Sequence, residues 1–135
     1  MLENLKKLEK NINGELASKI SNSLIQYDEL MIEVQCEDLI HVVQFLKSNE
    51  NCKFRQLIDI AGVDYPEDEK RFHLIYLFLS HEKNTRIKLI TKFNVDQTIQ
   101  SLTKIFPSAN WMEREVFDMY GIKYFSLHPI RERSI

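Results

Sequence analysis

The sequence predicts an α+β fold, a two-layer sandwich in which a mostly antiparallel sheet is flanked by helices. Apolar residues at every second position, typical of strands, dominate the middle of the chain, whereas steps of three and four, typical of helices, lie near both ends and between two strands. The chain has 135 residues, 44% of them hydrophobic, which suffices for one core. We therefore expect a single domain over residues 1–135.

A helix and a β-hairpin are predicted first. Four apolar residues one helical turn apart form the stripe of the helix: Leu2, Leu5, Leu8 and Ile12. Asn13-Gly14 is a typical stop signal. The alternation from Leu30 to Val34 predicts a half-buried strand, and Ser23–Tyr27 is its predicted hairpin partner across a turn at residues 28 and 29.

Residues 37–47 predict a second helix, whose apolar stripe comprises Leu39, Val42, Val43 and Leu46. His41 falls on the opposite side of this helix and should face solvent. Phe54–Val63 fits either a short turn of helix or a strand. Residues 64–70 form a polar connector that contains proline.

A second hairpin is predicted next. Phe72–Leu79 is apolar on both faces apart from His73, which predicts a central strand covered on both sides, or covered on the second side by a partner. The alternating segment Thr85–Lys92 should pair with it through a turn at Lys83-Asn84.

Two helices are predicted near the C-terminus. Asn94 and Gln97 have the spacing of a capping box, and a helical stripe follows: Val95, Ile99, Leu102 and Ile105. Asn110 and Glu113 repeat this spacing and open a last helix. Gly121 should end that helix, because glycine adopts the left-handed conformation at least cost.

Composition excludes several classes of function. Eighteen Lys+Arg against twenty Asp+Glu give a net charge of -2 without a basic block, which argues against nucleic acid binding. The longest apolar run, Leu74–Leu79, is far shorter than the ~20 residues of a membrane-crossing helix. The first residues also lack the continuous apolar stretch of a secretory signal.

Cofactor and metal motifs are missing from the sequence. The three glycines are too widely spaced for a phosphate-binding loop. Cys36 and Cys52 are too few to ligate an iron–sulfur cluster, and we expect buried free thiols. The four histidines stand in no metal-binding spacing: His41, His73, His81 and His128.

The densest mixture of charged and large apolar residues lies between Trp111 and Gly121. One interpretation is a capped amphipathic helix in which Arg114 and Asp118, four residues apart, form a pair. The alternative is that Arg114 and Glu115, crowded by aromatic residues, are partly desolvated and need the charges of a partner. Nothing in the sequence surrounds Glu115 and Asp118 with the pocket that acid–base catalysis requires.

The run from Ala109 to Ile122, ANWMEREVFDMYGI, followed by His128-Pro129, closely resembles the motif of the thirty-kilodalton subunit family of NADH:quinone oxidoreductase, also called complex I. Further resemblance lies in Val63-Asp64-Tyr65 and in Arg71-Phe72. The similarity covers the chain from about residue 30 to residue 125.

The resemblance implies a non-catalytic, cofactor-free structural subunit of the peripheral arm of this proton-translocating enzyme. Such subunits dock on the large subunit that helps form the quinone site, while FMN and iron–sulfur clusters reside in partner subunits. The chain would be enzymatic only as a component that supports electron transfer from NADH to quinone. Its location would be peripheral, on the cytoplasmic face of the bacterial inner membrane, or on the matrix side if organellar.

The resemblance assigns no catalytic, cofactor-binding or metal-binding residue to the chain. It implies a partner-docking motif that comprises Trp111, Glu113, Arg114, Glu115, Asp118, Tyr120, Gly121, His128 and Pro129. The segment before His128 is one residue longer than the family pattern, and the following Leu-Arg-Arg-Ile-Leu is not cleanly present. We therefore expect an atypical C-terminus: a truncated or frame-shifted product, or a divergent short member.

Three alternatives remain open at this point. A similar module occurs in membrane-bound nickel–iron hydrogenases and in related dehydrogenases. A free-standing α+β binding domain would have the same composition. An autonomous small hydrolase would use Glu115, Asp118 and His128, and would need a concave pocket around them.

Overall fold

The computed structural model describes residues 2–94, 98–120 and 123–125, and it confirms the predicted α+β class. Its elements in chain order are α1 (Leu2–Glu15), β1 (Ile20–Gln26), β2 (Glu29–Val34), a short 3-10 helix (Cys36–Asp38), α2 (Leu39–Ser48), β3 (Gln56–Asp64), β4 (Phe72–Ser80), β5 (Thr85–Phe93), β6 (Thr98–Gln100), α3 (Ala109–Tyr120) and β7 (Lys123–Phe125).

The main sheet has five strands in the order β1-β2-β5-β4-β3. Three of its four pairings are antiparallel, as predicted, and both predicted hairpins, β1–β2 and β4–β5, are present. β2 and β5 lie side by side in parallel, which joins the N-terminal hairpin to the rest of the sheet. β6 and β7 form a separate parallel pair.

The core lies on one face of the main sheet. Every second residue of β2, β4 and β5 points into the core, and the register places these buried residues opposite one another on paired strands. They are Leu30, Ile32, Leu74, Tyr76, Phe78, Ile87 and Leu89. The predicted stripes of both helices join the same buried cluster, with Leu5, Leu8 and Ile12 from α1 and Leu39 and Val42 from α2. Helices and sheet therefore form the two predicted layers.

The opposite face of the sheet is only partly covered by the described residues. On β4, Ile75, Leu77 and Leu79 are half-buried, whereas the alternate residues Leu74 and Phe78 are fully buried. The described residues therefore cover one side of this strand fully and the other side only in part. Coverage of the second face by a partner stays a prediction.

Helix and turn boundaries differ slightly from those predicted. α1 continues through Gly14 to Glu15, so the predicted stop at Asn13-Gly14 is wrong. A Cβ at Gly14 would meet no atom within 4 Å, which shows that no close contact requires glycine there. The β1–β2 turn lies at Tyr27-Asp28, with φ angles of 52° and 61°, one residue earlier than predicted. The open choice for Phe54–Val63 is settled as strand β3.

The predicted helix over residues 95–105 is wrong. Thr98–Gln100 is strand β6, and residues 95–97 lie outside the described part. The apolar positions Ile99, Leu102 and Ile105 are buried as expected, but strand and tight turns place them. The N–H groups of Ile105 and Phe106 both donate to the Leu102 carbonyl, at 3.0 and 2.8 Å. A spacing of three residues therefore fits successive turns as well as a helix.

Candidate docking site on helix α3

α3 begins one residue before the position that the capping box indicates. The N–H of Ala109 donates to the Phe106 carbonyl at 2.9 Å, and that of Asn110 donates to the Pro107 carbonyl at 3.2 Å. Asn110 is thus inside the helix, and the predicted capping role is wrong. The described helix extends to Tyr120, and the predicted stop at Gly121 lies outside the described residues and stays a prediction.

Glu113 explains why the capping box does not form. Its side chain is turned into the core, and the residue is only 5% exposed. Ser101 Oγ donates to Glu113 Oε1 at 2.6 Å, and the N–H of Leu102 donates to Glu113 Oε2 at 2.8 Å. Both carboxylate oxygens are therefore engaged by the segment that precedes α3, rather than by the first turn of the helix.

The environment of Glu113 acts on its protonation in two opposing ways. Burial raises the pKa of this carboxyl above its ordinary value of 4.5, while the hydrogen bonds from Ser101 and from the Leu102 backbone lower it by a smaller amount. Two donors pointing at one carboxylate favour the ionised form, so the site tolerates a buried charge. The carboxylate fastens α3 to residues 101 and 102.

Glu113 should make folding stability depend on pH. Because its pKa is raised in the folded state, the folded chain binds this proton more readily than the unfolded chain. Its contribution is fully present below about pH 4.5 and is lost as the pH rises through the folded pKa. We expect the unfolding free energy of Glu113→Gln, measured by urea denaturation, to increase relative to that of wild type as the pH is raised from about 4 to about 7. A difference independent of pH would contradict this assignment.

Among the side chains of α3 that the structure describes, Trp111, Arg114 and Glu115 lie together on the outer face of the helix. Trp111 is 66% exposed, which is unusual for so large an aromatic side chain, and Glu115 is also exposed. Arg114 is half-buried, and its Nε atom is buried without a hydrogen-bond partner among the described residues. Spacings of three and four place the outer-face residues together on one side of the helix.

The structure separates the residues of the predicted docking motif. Glu113 faces inward, and Trp111, Arg114 and Glu115 face outward. The remaining motif residues are not described to the same extent. The backbones of Asp118 and Tyr120 are in α3 while their side chains are outside the described part, so the predicted Arg114–Asp118 pair stays a prediction. Gly121, His128 and Pro129 lie outside the described residues.

A second resembling segment, at residues 63–72, has a structural explanation. Arg71 binds Asp64 through two hydrogen bonds, Nε to Oδ1 at 2.7 Å and Nη2 to Oδ2 at 2.9 Å. The hydrogen bond from Arg71 lowers the pKa of the Asp64 carboxyl. The N–H of Tyr65 donates to the Arg71 carbonyl at 2.7 Å. These contacts close the loop between β3 and β4.

The cysteines and histidines show no metal-binding arrangement in the described part of the chain. Cys36 and Cys52 are buried and form no disulfide, as predicted, and burial raises the pKa of Cys52 to about 11. His41 is exposed on α2, as predicted. Within residues 2–94, 98–120 and 123–125, no group of three His, Cys, Asp or Glu side chains could hold a metal ion. No helix in these ranges is both long and apolar enough to cross a bilayer.

Sequence reasoning missed the two partners of Glu113. Ser101 and the Leu102 amide lie some twelve residues before it and approach it only through the tertiary fold. The helix predicted for this region gives the Ser101 hydroxyl no special role. Nothing in the sequence singles out Ser101, because Gln100 and Thr103 beside it are also polar, and only the structure shows that it is buried, at 6% exposure.

Comparisons with known proteins identify the family of the chain. Residues 32–134 match the family described as respiratory-chain NADH dehydrogenase, 30 Kd subunit. A curated relative from Chelativorans sp., named as a subunit of NADH-quinone oxidoreductase, is 40% identical over 135 residues, which are 100% of this chain and 67% of the relative. The relative of the same name from Rhodospirillum rubrum is 42% identical over 134 residues, 99% of this chain and 62% of the relative.

A solved structure has the same fold. A chain of the membrane-bound sulfane sulfur reductase, an archaeal respiratory membrane complex, superposes with a TM-score of 0.78 at 20% identity, covering 96% of this chain and 75% of that chain. This chain spans about two thirds of the length of the two curated relatives, 67% and 62%. The family match over residues 32–134 and the identities near 40% show that the chain belongs to the 30 kDa subunit family of the respiratory-chain NADH dehydrogenase, or complex I.

Proposed function

We propose that this chain is a non-catalytic, cofactor-free structural subunit in the peripheral arm of a proton-translocating NADH:quinone oxidoreductase. It docks on the large subunit of the quinone module and supports electron transfer from NADH to quinone through FMN and iron–sulfur clusters in other subunits. Residues 1–135 act as one domain. Partner proteins hold it at the cytoplasmic face of the bacterial inner membrane, or at the matrix side in an organelle.

The outer face of α3 is the observation that carries the docking proposal. Trp111 and Arg114 are residue types that dominate binding energy when an interface desolvates them. Trp111 leaves two thirds of its surface, 66%, in contact with solvent, and Arg114 holds a buried donor without a described acceptor. Glu113 contributes indirectly, because its bonds to residues 101 and 102 fix the position of the helix. It is a positioning residue.

The alternative of an autonomous hydrolase receives no support from the described residues. Its proposed carboxylate Glu115 is exposed on a helix surface, rather than enclosed by a polar pocket. Glu113, the buried carboxylate of α3, has both oxygens engaged by its own chain. Neither residue is placed to take a proton from a bound substrate.

Replacing Trp111 with alanine tests the docking proposal. We expect the affinity for the large quinone-module subunit, co-expressed with the tagged chain, to fall by about 30-fold, because the variant lacks the aromatic side chain that the interface would bury. The unfolding free energy of the isolated chain should change by less than about 0.5 kcal/mol, since the side chain is exposed. Tyr27→Ala is the matched control, because Tyr27 is 88% exposed at the remote β1–β2 turn.

Two results would contradict the proposal. If Trp111→Ala and Tyr27→Ala capture the large subunit equally well, the outer face of α3 is not the docking surface. If the wild-type chain fails to capture the large subunit, the chain is a free-standing domain or a component of another complex. Purification of the wild-type chain from native membranes separates these last two outcomes, because only a component of another complex brings down its own set of subunits.

A further inference from the structure

Arg114 occupies an unusual position for a permanently charged residue. It is half-buried, and its Nε atom is buried, yet no described acceptor forms a hydrogen bond with it. A guanidinium group cannot lose its charge at neutral pH and carries five N–H donors. A buried donor without an acceptor lowers stability, so the described part of the fold leaves this side chain partly unsatisfied.

The two carboxylates of α3 whose side chains the structure describes, Glu113 and Glu115, do not supply the missing acceptor. Glu113 lies on the inner side of the helix with both oxygens bound to residues 101 and 102. Glu115, the next residue, is exposed and makes no described contact with the buried Nε. Asp118 is one helical turn further on, with its side chain outside the described part. Asp118 is therefore the competitor on α3 that an experiment must exclude.

We infer that Arg114 recognises an aspartate or glutamate side chain of the docking partner, which binds edge-on to Nε and one terminal nitrogen of the guanidinium while Trp111 packs beside it. This inference rests on the proposed docking function and specifies the chemistry of the partner surface. Closure of the interface removes Arg114 from water, and a cation desolvated in this way requires a counter-charge rather than a neutral acceptor. A carboxylate matches the planar, two-donor edge of arginine.

The contribution of Arg114 can be measured in the complex of the tagged chain with the co-expressed large subunit. We expect Arg114→Gln to weaken binding by about 30-fold or more, because truncating one partner of a desolvated charge pair leaves the other charge unpaired. Arg114→Lys should not restore wild-type affinity, since lysine lacks the two-donor edge. Binding by wild type should weaken with rising salt more steeply than binding by Arg114→Gln.

Zero-length cross-linking identifies the carboxylate itself. In the Arg114→Lys complex, a carbodiimide activates a carboxyl group within contact distance, and the introduced amine displaces the urea to form an amide bond. We expect mass spectrometry to find this amide between position 114 and an aspartate or glutamate of the large subunit. Gln44→Lys on the exposed side of α2 is the control and should form no such cross-link.

The outcomes distinguish this inference from the proposed function. An amide to Asp118 of the same chain, or wild-type affinity in Arg114→Gln, overturns the inference while docking through Trp111 stands. If Arg114→Lys assembles fully and yields no cross-link at position 114, the acidic partner is likewise excluded. If the wild-type chain does not bind the large subunit, the proposed function itself fails.

Discussion

Replacing Glu113 with alanine is expected to lower the free energy of unfolding by about 3 kcal/mol, a large effect for one residue. The substitution leaves two buried donors without their acceptor, the Ser101 hydroxyl and the Leu102 amide. It also detaches α3 from the segment that precedes it. Urea denaturation of the isolated chain at neutral pH measures the loss.

Glu115→Ala is the matched control, because it removes the same side chain from the same helix at an exposed position. Its unfolding free energy should stay within about 0.5 kcal/mol of wild type. Glu113→Gln should fall between the two, since the amide retains one acceptor oxygen. Equal stabilities of Glu113→Ala and Glu115→Ala would show that the buried carboxylate does not hold the helix.

A second large effect is expected on β4, where Leu74 and Leu77 lie on opposite faces of the sheet. Leu74→Ala should cost about 3–4 kcal/mol, because Leu74 is fully buried and its loss leaves a cavity. Leu77→Ala should cost about 1 kcal/mol, since Leu77 is half-buried on the opposite face and its site can fill with water. Urea denaturation of both variants of the isolated chain gives the comparison.

This pair of substitutions also tests the one-sided core. Equal losses at Leu74 and Leu77 would mean that the second face of the sheet is packed as tightly as the first. If the losses are unequal, measuring the affinity of both variants for the partner would then show whether the partner covers this face. Leu77→Ala should weaken the complex only if that face is part of an interface.

The regular strands of the main sheet could be predicted from the sequence because their signal is local. The alternation in residues 30–34 and 85–92 depends only on which side chains face the core. The parallel pairing of β2 with β5 could not be predicted, because the sequence of neither strand indicates which strand lies beside it. The region around Ile99 and Leu102 was predicted wrongly, since steps of three fit turns and helices alike.

The candidate site was predicted in part. The pattern from Trp111 to Gly121 located α3, because the helical period is a local signal. The orientation of Glu113 was not predictable in this way. A glutamate in the first turns of a helix can bind the helix itself or a distant amide, and here the tertiary contact with residues 101 and 102 prevails.

The parallel neighbours β2 and β5 have a consequence for the order of events during synthesis. The ribosome completes β2 well before β5 exists, so the strand edge that will meet residues 87–91 waits without its hydrogen-bonding partner. Pairing of the two strands closes a loop of about fifty residues, and the loss of conformational entropy for this closure occurs in a single step. The incomplete chain therefore exposes an unpaired, aggregation-prone strand edge until residue 91 has emerged.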